Sequence, residues 1–260
     1  MFDRNARFLF DQAAAAYDEA RPGYPPELID KLVELAALPE KARILEIGCG
    51  TGQITRSLAE RGYEIVAVEL GEHLARLAAN NLEDFPNVQV IHSSFEEWAP
   101  TEFAFDVVVS AQAFHWIDPD IGYPKIRRLL ADHGHLAVIY NLFPGSTEPV
   151  YQELDRIYQH HFPDGGETDA PRSLQERVQR TLRVIKSCGL FHEPIVWDHA
   201  WVEAYTTDRH IQLLESFSDH RSLDDSTREA LYREVRVAIN KHGGTIQRPL
   251  LATLFLAKAL

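Results

Sequence analysis

The chain has 260 residues, 45% hydrophobic and 25% charged, which suits one large α/β domain with ample material for a core. Its 39 acids against 26 bases give a formal charge of −13, which argues against unassisted binding to nucleic acid or to an anionic membrane. Two cysteines make no disulfide framework, no apolar run reaches membrane-spanning length, and the opening MFDRNARFLF lacks the apolar centre of a signal peptide, so the expected compartment is the cytoplasm.

Residues 2–24 precede the sheet pattern. Phe8, Phe10 and the alanine run 13–16 favour a helix, and YDEARPGYPP (17–26) then forms a defined loop carrying Tyr17, Arg21 and Tyr24. Pro26 suits the first position of a helix whose face is Leu28, Leu32 and Leu35 and which ends by Pro39. From residue 42 strand and helix alternate. Strands are expected at 44–47, 65–68, 88–91, 105–110 and 136–140, with helices at 53–60, along Leu74, Leu77, Ala78 and Asn81, and at 119–130, the last ended by a turn at His133–Gly134. This alternation implies right-handed crossovers and a parallel sheet with helices on both faces. After Asn141 the rhythm changes. Helices are expected at 150–161, 174–186, 209–217 and 227–241, a polar loop at FPDGGETDAP (162–171), and strands at 195–205 and 245–258 that can pair as an antiparallel edge hairpin. No repeat or linker divides the chain.

The stretch ILEIGCGTGQIT (44–55) carries the strongest chemical signal. A buried strand runs into Gly48, Gly50 and Gly52, residues that accept positive φ and let a ligand approach the backbone. The following helix offers its N-terminal N–H groups there. The second strand ends at Glu69, with Leu70 beside it, about twenty residues on, where a carboxylate reaches a ribose hydroxyl pair. Together these point to an adenosine-bearing cofactor. Gln53 stands where a dinucleotide fingerprint needs its third glycine, and Glu46 lies beside the expected ligand, where a pyrophosphate would be repelled and an ammonium or sulfonium tolerated.

Other candidates follow from the strand ends. Ser94 and Phe95 follow the third strand, where an adenine would sit; Ser94 with Glu97 also has the spacing of a helix cap. AQAFHWID (111–118) continues the fourth strand and brings Ala111, Gln112, His115 and Trp116 towards the reactive end of the cofactor. His115 reads equally as a base or anion binder and as a histidine satisfied by packing; Trp116 reads as a wall residue. Arg21 can pair with a carboxylate of cofactor or substrate, against the base expectation of a solvated arginine. Cys49 reads as packed rather than reactive. His160–His161 has no acids or cysteines at ligand spacing, so no metal site is expected.

The pattern E-x-G-x-G-x-G is similar to motif I of class I S-adenosylmethionine-dependent methyltransferases. Together, FDQAAAAYDEARPGYPPEL (10–28), the glycine stretch and FDVVVSAQAFHWID (105–118) resemble the small-molecule branch related to trans-aconitate methyltransferases. The resemblance implies a doubly wound, Rossmann-like seven-stranded sheet, mostly parallel with an antiparallel C-terminal edge hairpin, in a single domain over 1–260. It implies an opening segment (1–24) that covers the cofactor and a helical lid from 142–190 and 206–243. It implies cofactor contacts at Gly48, Gly50, Gly52, Glu69, Ser94 and Phe95, with the backbone near Ala111, and site closure by Tyr17, Arg21 and Tyr24.

The expected function is methyl transfer from S-adenosylmethionine to a small molecule, at a carboxylate or hydroxyl oxygen, by a monomer or homodimer. His115 is the candidate catalytic residue. Tyr17, Arg21, Glu46, Glu69, Leu70 and the glycines fall on the cofactor side; Tyr24, Gln112 and Trp116 fall on the substrate side. The rivals are an NAD-dependent oxidoreductase, disfavoured by Gln53, by Glu46 and by the lack of a Tyr-x-x-x-Lys pair, and a non-catalytic S-adenosylmethionine-binding protein.

Overall fold

The computed structural model describes residues 20–100, 104–161 and 174–260. The expected helix before residue 17, Tyr17 itself and the loop 162–171 lie outside them.

Seven strands form one sheet: β1 (Arg43–Ile47), β2 (Glu64–Glu69), β3 (Val88–His92), β4 (Phe105–Ala111), β5 (Leu130–Leu142), β6 (Ile195–Thr206) and β7 (Thr245–Lys258), in the order 3-2-1-4-5-7-6. β1 to β5 pair in parallel; β7 runs antiparallel to both β5 and β6. The doubly wound sheet with an antiparallel edge is therefore the observed architecture. The order reverses between β1 and β4, so the loops after these two strands part and leave a crevice at their carboxyl ends.

Helices cover both faces. α1 (Pro26–Ala36) starts on Pro26 and buries Leu28, Ile29, Leu32 and Ala36; Ala37, at φ 48°, ends it, with the Leu38 N–H returning to the Val33 carbonyl. With α2 (Gln53–Ala59) and α3 (Glu72–Asn81) it shares an apolar cluster with Ile44, Ile65, Val107 and Ile139. The opposite face collects Leu45, Val108, Leu136 and Phe255 with α4 (Pro119–Leu129), capped by Asp118, and α6 (Leu174–Ser187), which seats Ile185.

A third cluster lies past the carboxyl ends of the parallel strands. β5 stops at Leu142, opposite Leu251, while β6 and β7 stay paired as far as Thr206 and Thr245. This overhang presents Tyr205 and Ile246 to α5 (Pro149–His161), α7 (Thr207–Glu215) and α9 (Asp225–Lys241), with the short α8 (Ser218–Arg221) between the last two. None of the described helices is long and apolar enough to cross a membrane.

One expectation is corrected. His133–Gly134 is not a turn: β5 begins at Leu130, directly after α4, and both residues lie within it. A Cβ on Gly134 would stand 2.9 Å from the Phe105 carbonyl oxygen and 2.9 Å from Leu130 Cδ2. The glycine there serves a close approach of two strands, beside the register shift between Phe105 and Val107.

Candidate active site

The loop after β1 is a bend of left-handed glycines: Gly48, Gly50 and Gly52 have φ of 72°, 58° and 93°. Its shape is fixed by its neighbours. Gly48 donates to the Val68 carbonyl at 2.8 Å, and Asn81 donates to the Thr51 carbonyl at 3.0 Å. A Cβ on Gly48 would come 2.5 Å from the Ala113 Cβ, and one on Gly52 would come 2.9 Å from Leu82. The bare backbone thus lets the β1 loop close against the turn after β4.

Glu69 ends β2 and is 7% exposed. One carboxylate oxygen accepts from the Gly50 N–H and the other from the Gly71 N–H, each at 2.9 Å. It therefore fastens the glycine bend to the start of α3. Leu70 follows, half-buried. Glu46 sits beneath the bend, 1% exposed, and accepts from the Thr55 hydroxyl at 2.6 Å. Burial, together with the charge of Glu69, raises its pKa to about 7 against the lowering effect of Thr55. Cys49 is buried in the apolar cluster, and burial holds its thiol protonated.

After β3, Ser94 and Glu97 form a reciprocal pair: the Glu97 N–H donates to Ser94 Oγ, which donates to the Glu97 carboxylate, both at 3.1 Å. The cap closes a turn, not the helix its spacing suggests. Phe95 is buried. Its carbonyl, with those of Glu96 and Trp98, accepts from the buried Lys125 ammonium of α4, a support that sequence reading missed.

The opposite wall is the turn after β4. Ala111 is half-buried at the strand end, and Gln112 takes φ 57°. Its amide donates to the Asn141 carbonyl at 3.0 Å; Asn141 in turn donates to the Gly23 carbonyl at 2.9 Å and accepts from Trp201 Nε1 at 3.3 Å. Asn141, also unforeseen, thus ties the opening strap, residues 20–24, to β5, β6 and the turn after β4. Tyr205 donates to the Ala20 carbonyl at 3.0 Å, and Arg21 donates to the Ser216 carbonyl at 3.0 Å with its guanidinium 4.7 Å over the Phe217 ring. A cleft with about 270 Å³ of space, open to solvent, is lined by Arg21, Pro22, Tyr24, Gln53, Gln112 and Asn141.

His115 and Trp116 lie on a 3-10 turn (Phe114–Trp116), their ring centroids 4.7 Å apart. His115 is exposed on this turn. Desolvation, and then the charges of Arg177, Arg180 and Arg21, lower its pKa to about 4. Among the described residues, no group of three or more His, Cys, Asp or Glu side chains is placed to hold a metal ion.

The methyltransferase domain family matches residues 44–134, from β1 through the turn after β4 and into β5. A malonyl-[acyl-carrier protein] O-methyltransferase of Geobacter sulfurreducens is 32% identical over 213 residues, 78% of each chain. Curated relatives described as uncharacterized methyltransferases of Mycobacterium are 37% identical over 139 residues, and the chain spans about half of their length. Among solved structures, a candidate type II methyltransferase of Anaeromyxobacter dehalogenans superposes with a TM-score of 0.62 at 24% identity, covering 92% of this chain and 96% of that one. A Haemonchus contortus phosphoethanolamine N-methyltransferase, in complex with phosphomonomethylethanolamine and S-adenosylhomocysteine, superposes with a TM-score of 0.53 at 17% identity, covering 96% of this chain and 57% of that one. This chain belongs to the S-adenosylmethionine-dependent methyltransferase family.

Proposed function

We propose that the chain transfers a methyl group from S-adenosylmethionine to an oxygen of a small molecule, a carboxylate or a hydroxyl. The observation that carries this reading is the glycine bend fastened to Glu69 and opening beside His115. The residues present fit the cofactor: the bend exposes backbone, Glu69 sets a carboxylate against that bend at the end of β2, where a ribose would lie, and Glu46 places an acid beneath the bend. The bound cofactor supplies a methyl group on a positively charged sulfur. Leu70, Ser94 and Phe95 border the adenine, and the backbone at Ala111 meets the methionine half. Residues 20–24, with Arg21 and Tyr24, close over the site. Gln112 and Trp116 wall the acceptor, and the third apolar cluster acts as its lid.

An alcohol acceptor would need a base, for which His115 is the candidate; a carboxylate is already nucleophilic at neutral pH. The relative named as an O-methyltransferase supports an oxygen acceptor. Calorimetry decides between this reading and the oxidoreductase rival: saturable binding of S-adenosylhomocysteine with none of NADH is expected, and the reverse overturns it.

Glu46 adds a pH signature. Being near half-protonated at pH 7, it must lose its proton to oppose a cationic ligand, so S-adenosylmethionine should bind up to about tenfold more tightly at pH 8 than at pH 6. Without ligand the sign reverses for the fold: ionising this buried acid costs stability as pH rises from 4.5 through about 7. Titrations of the wild type and Glu46→Gln at both pH values test this; an equal slope in the two proteins counts against it.

A further inference from the structure

We propose that Lys125 of α4 sets the base specificity of the cofactor pocket, by fixing the turn after β3 so that the Phe95 N–H meets N1 of adenine. The proposal rests on the methyltransferase reading and on the adenine site it places at Ser94 and Phe95; Lys125 acts there as a positioning residue.

Lys125 lies on the buried face of α4, between Tyr123 and Ile126, and is 8% exposed. An ammonium in such a place needs partners for its three donors, because a buried charge left unpaired is costly. It finds them in one short turn: the carbonyls of Phe95, Glu96 and Trp98 all accept from Nζ. The same cation stands 4.8 Å from the centre of the Phe95 ring and 5.9 Å from that of Trp98. One side chain from α4 thus gathers the whole turn.

A carbonyl and the N–H that follows it share one rigid plane and point in opposite directions. Lys125 therefore fixes the planes that begin at Phe95, Glu96 and Trp98. The planes that begin at Ser94 and Glu97 are closed on each other, since the Trp98 N–H donates to the Ser94 carbonyl at 2.9 Å. With that carbonyl facing into the turn, the Phe95 N–H faces out of it, and none of the described residues accepts from it. Adenine offers an acceptor at N1. Hypoxanthine, with a carbonyl in place of the 6-amino group, carries a hydrogen at N1 and sets donor against donor. A turn whose planes are held rejects the second base; a turn free to rotate them can offer it a carbonyl instead.

The test titrates the whole chain with S-adenosylhomocysteine and with S-inosylhomocysteine by calorimetry. The wild type should prefer the adenine ligand at least tenfold. Lys125→Met, which keeps the length and loses the charge and the donors, should cut that preference below threefold. Lys125→Gln, whose amide retains two donors, should fall between. A smaller folded fraction lowers both affinities alike, so the ratio reads the turn and not the stability of the fold. A wild-type ratio that survives in folded Lys125→Met makes the lysine a stabiliser alone and overturns the proposal. Equal binding of the two ligands by the wild type, or failure of both variants to fold, overturns it too. Should the wild type bind neither ligand, the methyltransferase reading itself falls.

Discussion

Replacing Glu69 by alanine should weaken binding of S-adenosylhomocysteine at least a hundredfold. The carboxylate already holds the Gly50 and Gly71 N–H groups, each at 2.9 Å, and under the proposed function it also receives the ribose hydroxyls. Hydrogen bonds to a charged group are worth about 1.5–3 kcal/mol each, so losing two to the ligand removes about 3–6 kcal/mol, two decades of affinity or more. The sheet should persist, because Glu69 closes β2 at the rim of the core and its backbone pairing with β3 needs no side chain. Glu69→Gln should fall between, since its amide turns a donor towards one of the two N–H groups. Calorimetry alongside a thermal melt reads both effects; an affinity within a fewfold of wild type would rule out the ribose role.

Gly48→Ala should be strongly disruptive. Two costs add. A non-glycine residue at φ 72° pays about 1–2 kcal/mol of backbone strain. The new Cβ would also stand 2.5 Å from the Ala113 Cβ, well inside contact distance, so the loops after β1 and β4 must separate. We expect about 2–4 kcal/mol of lost stability and at least a tenfold loss of S-adenosylhomocysteine binding. Gly62→Ala is the control: its φ is 83°, but a Cβ there meets nothing within 4 Å, so only the strain should appear and binding should not change. Adding Ala113→Gly to Gly48→Ala removes the collision and should restore part of both losses, a coupling that a double-mutant cycle reads directly. If the two glycine variants behave alike, the clash has no role.

Much of this was legible from local pattern. The apolar run into alternate glycines, the acid closing the second strand and the late pair of strands each carry a period or a conformational demand that neighbours in sequence impose. Gly134 misled because glycine beside histidine signals a turn, whereas its purpose is to admit the Phe105 carbonyl from another strand. Asn141 and Lys125 likewise owe their importance to carbonyls that are far away along the chain.

The overhang of β6 and β7 bears on how the cleft opens. The same two strands complete the sheet at one end and carry the roof at the other, so along them the ladder runs unbroken from foundation to canopy. A wholesale swing would have to bend a ladder of hydrogen-bonded backbone. The strap clasped at Ala20, Arg21 and Gly23 borders the cleft, so the doorway is placed beside it, at the side of the molecule, under a ceiling that stays still.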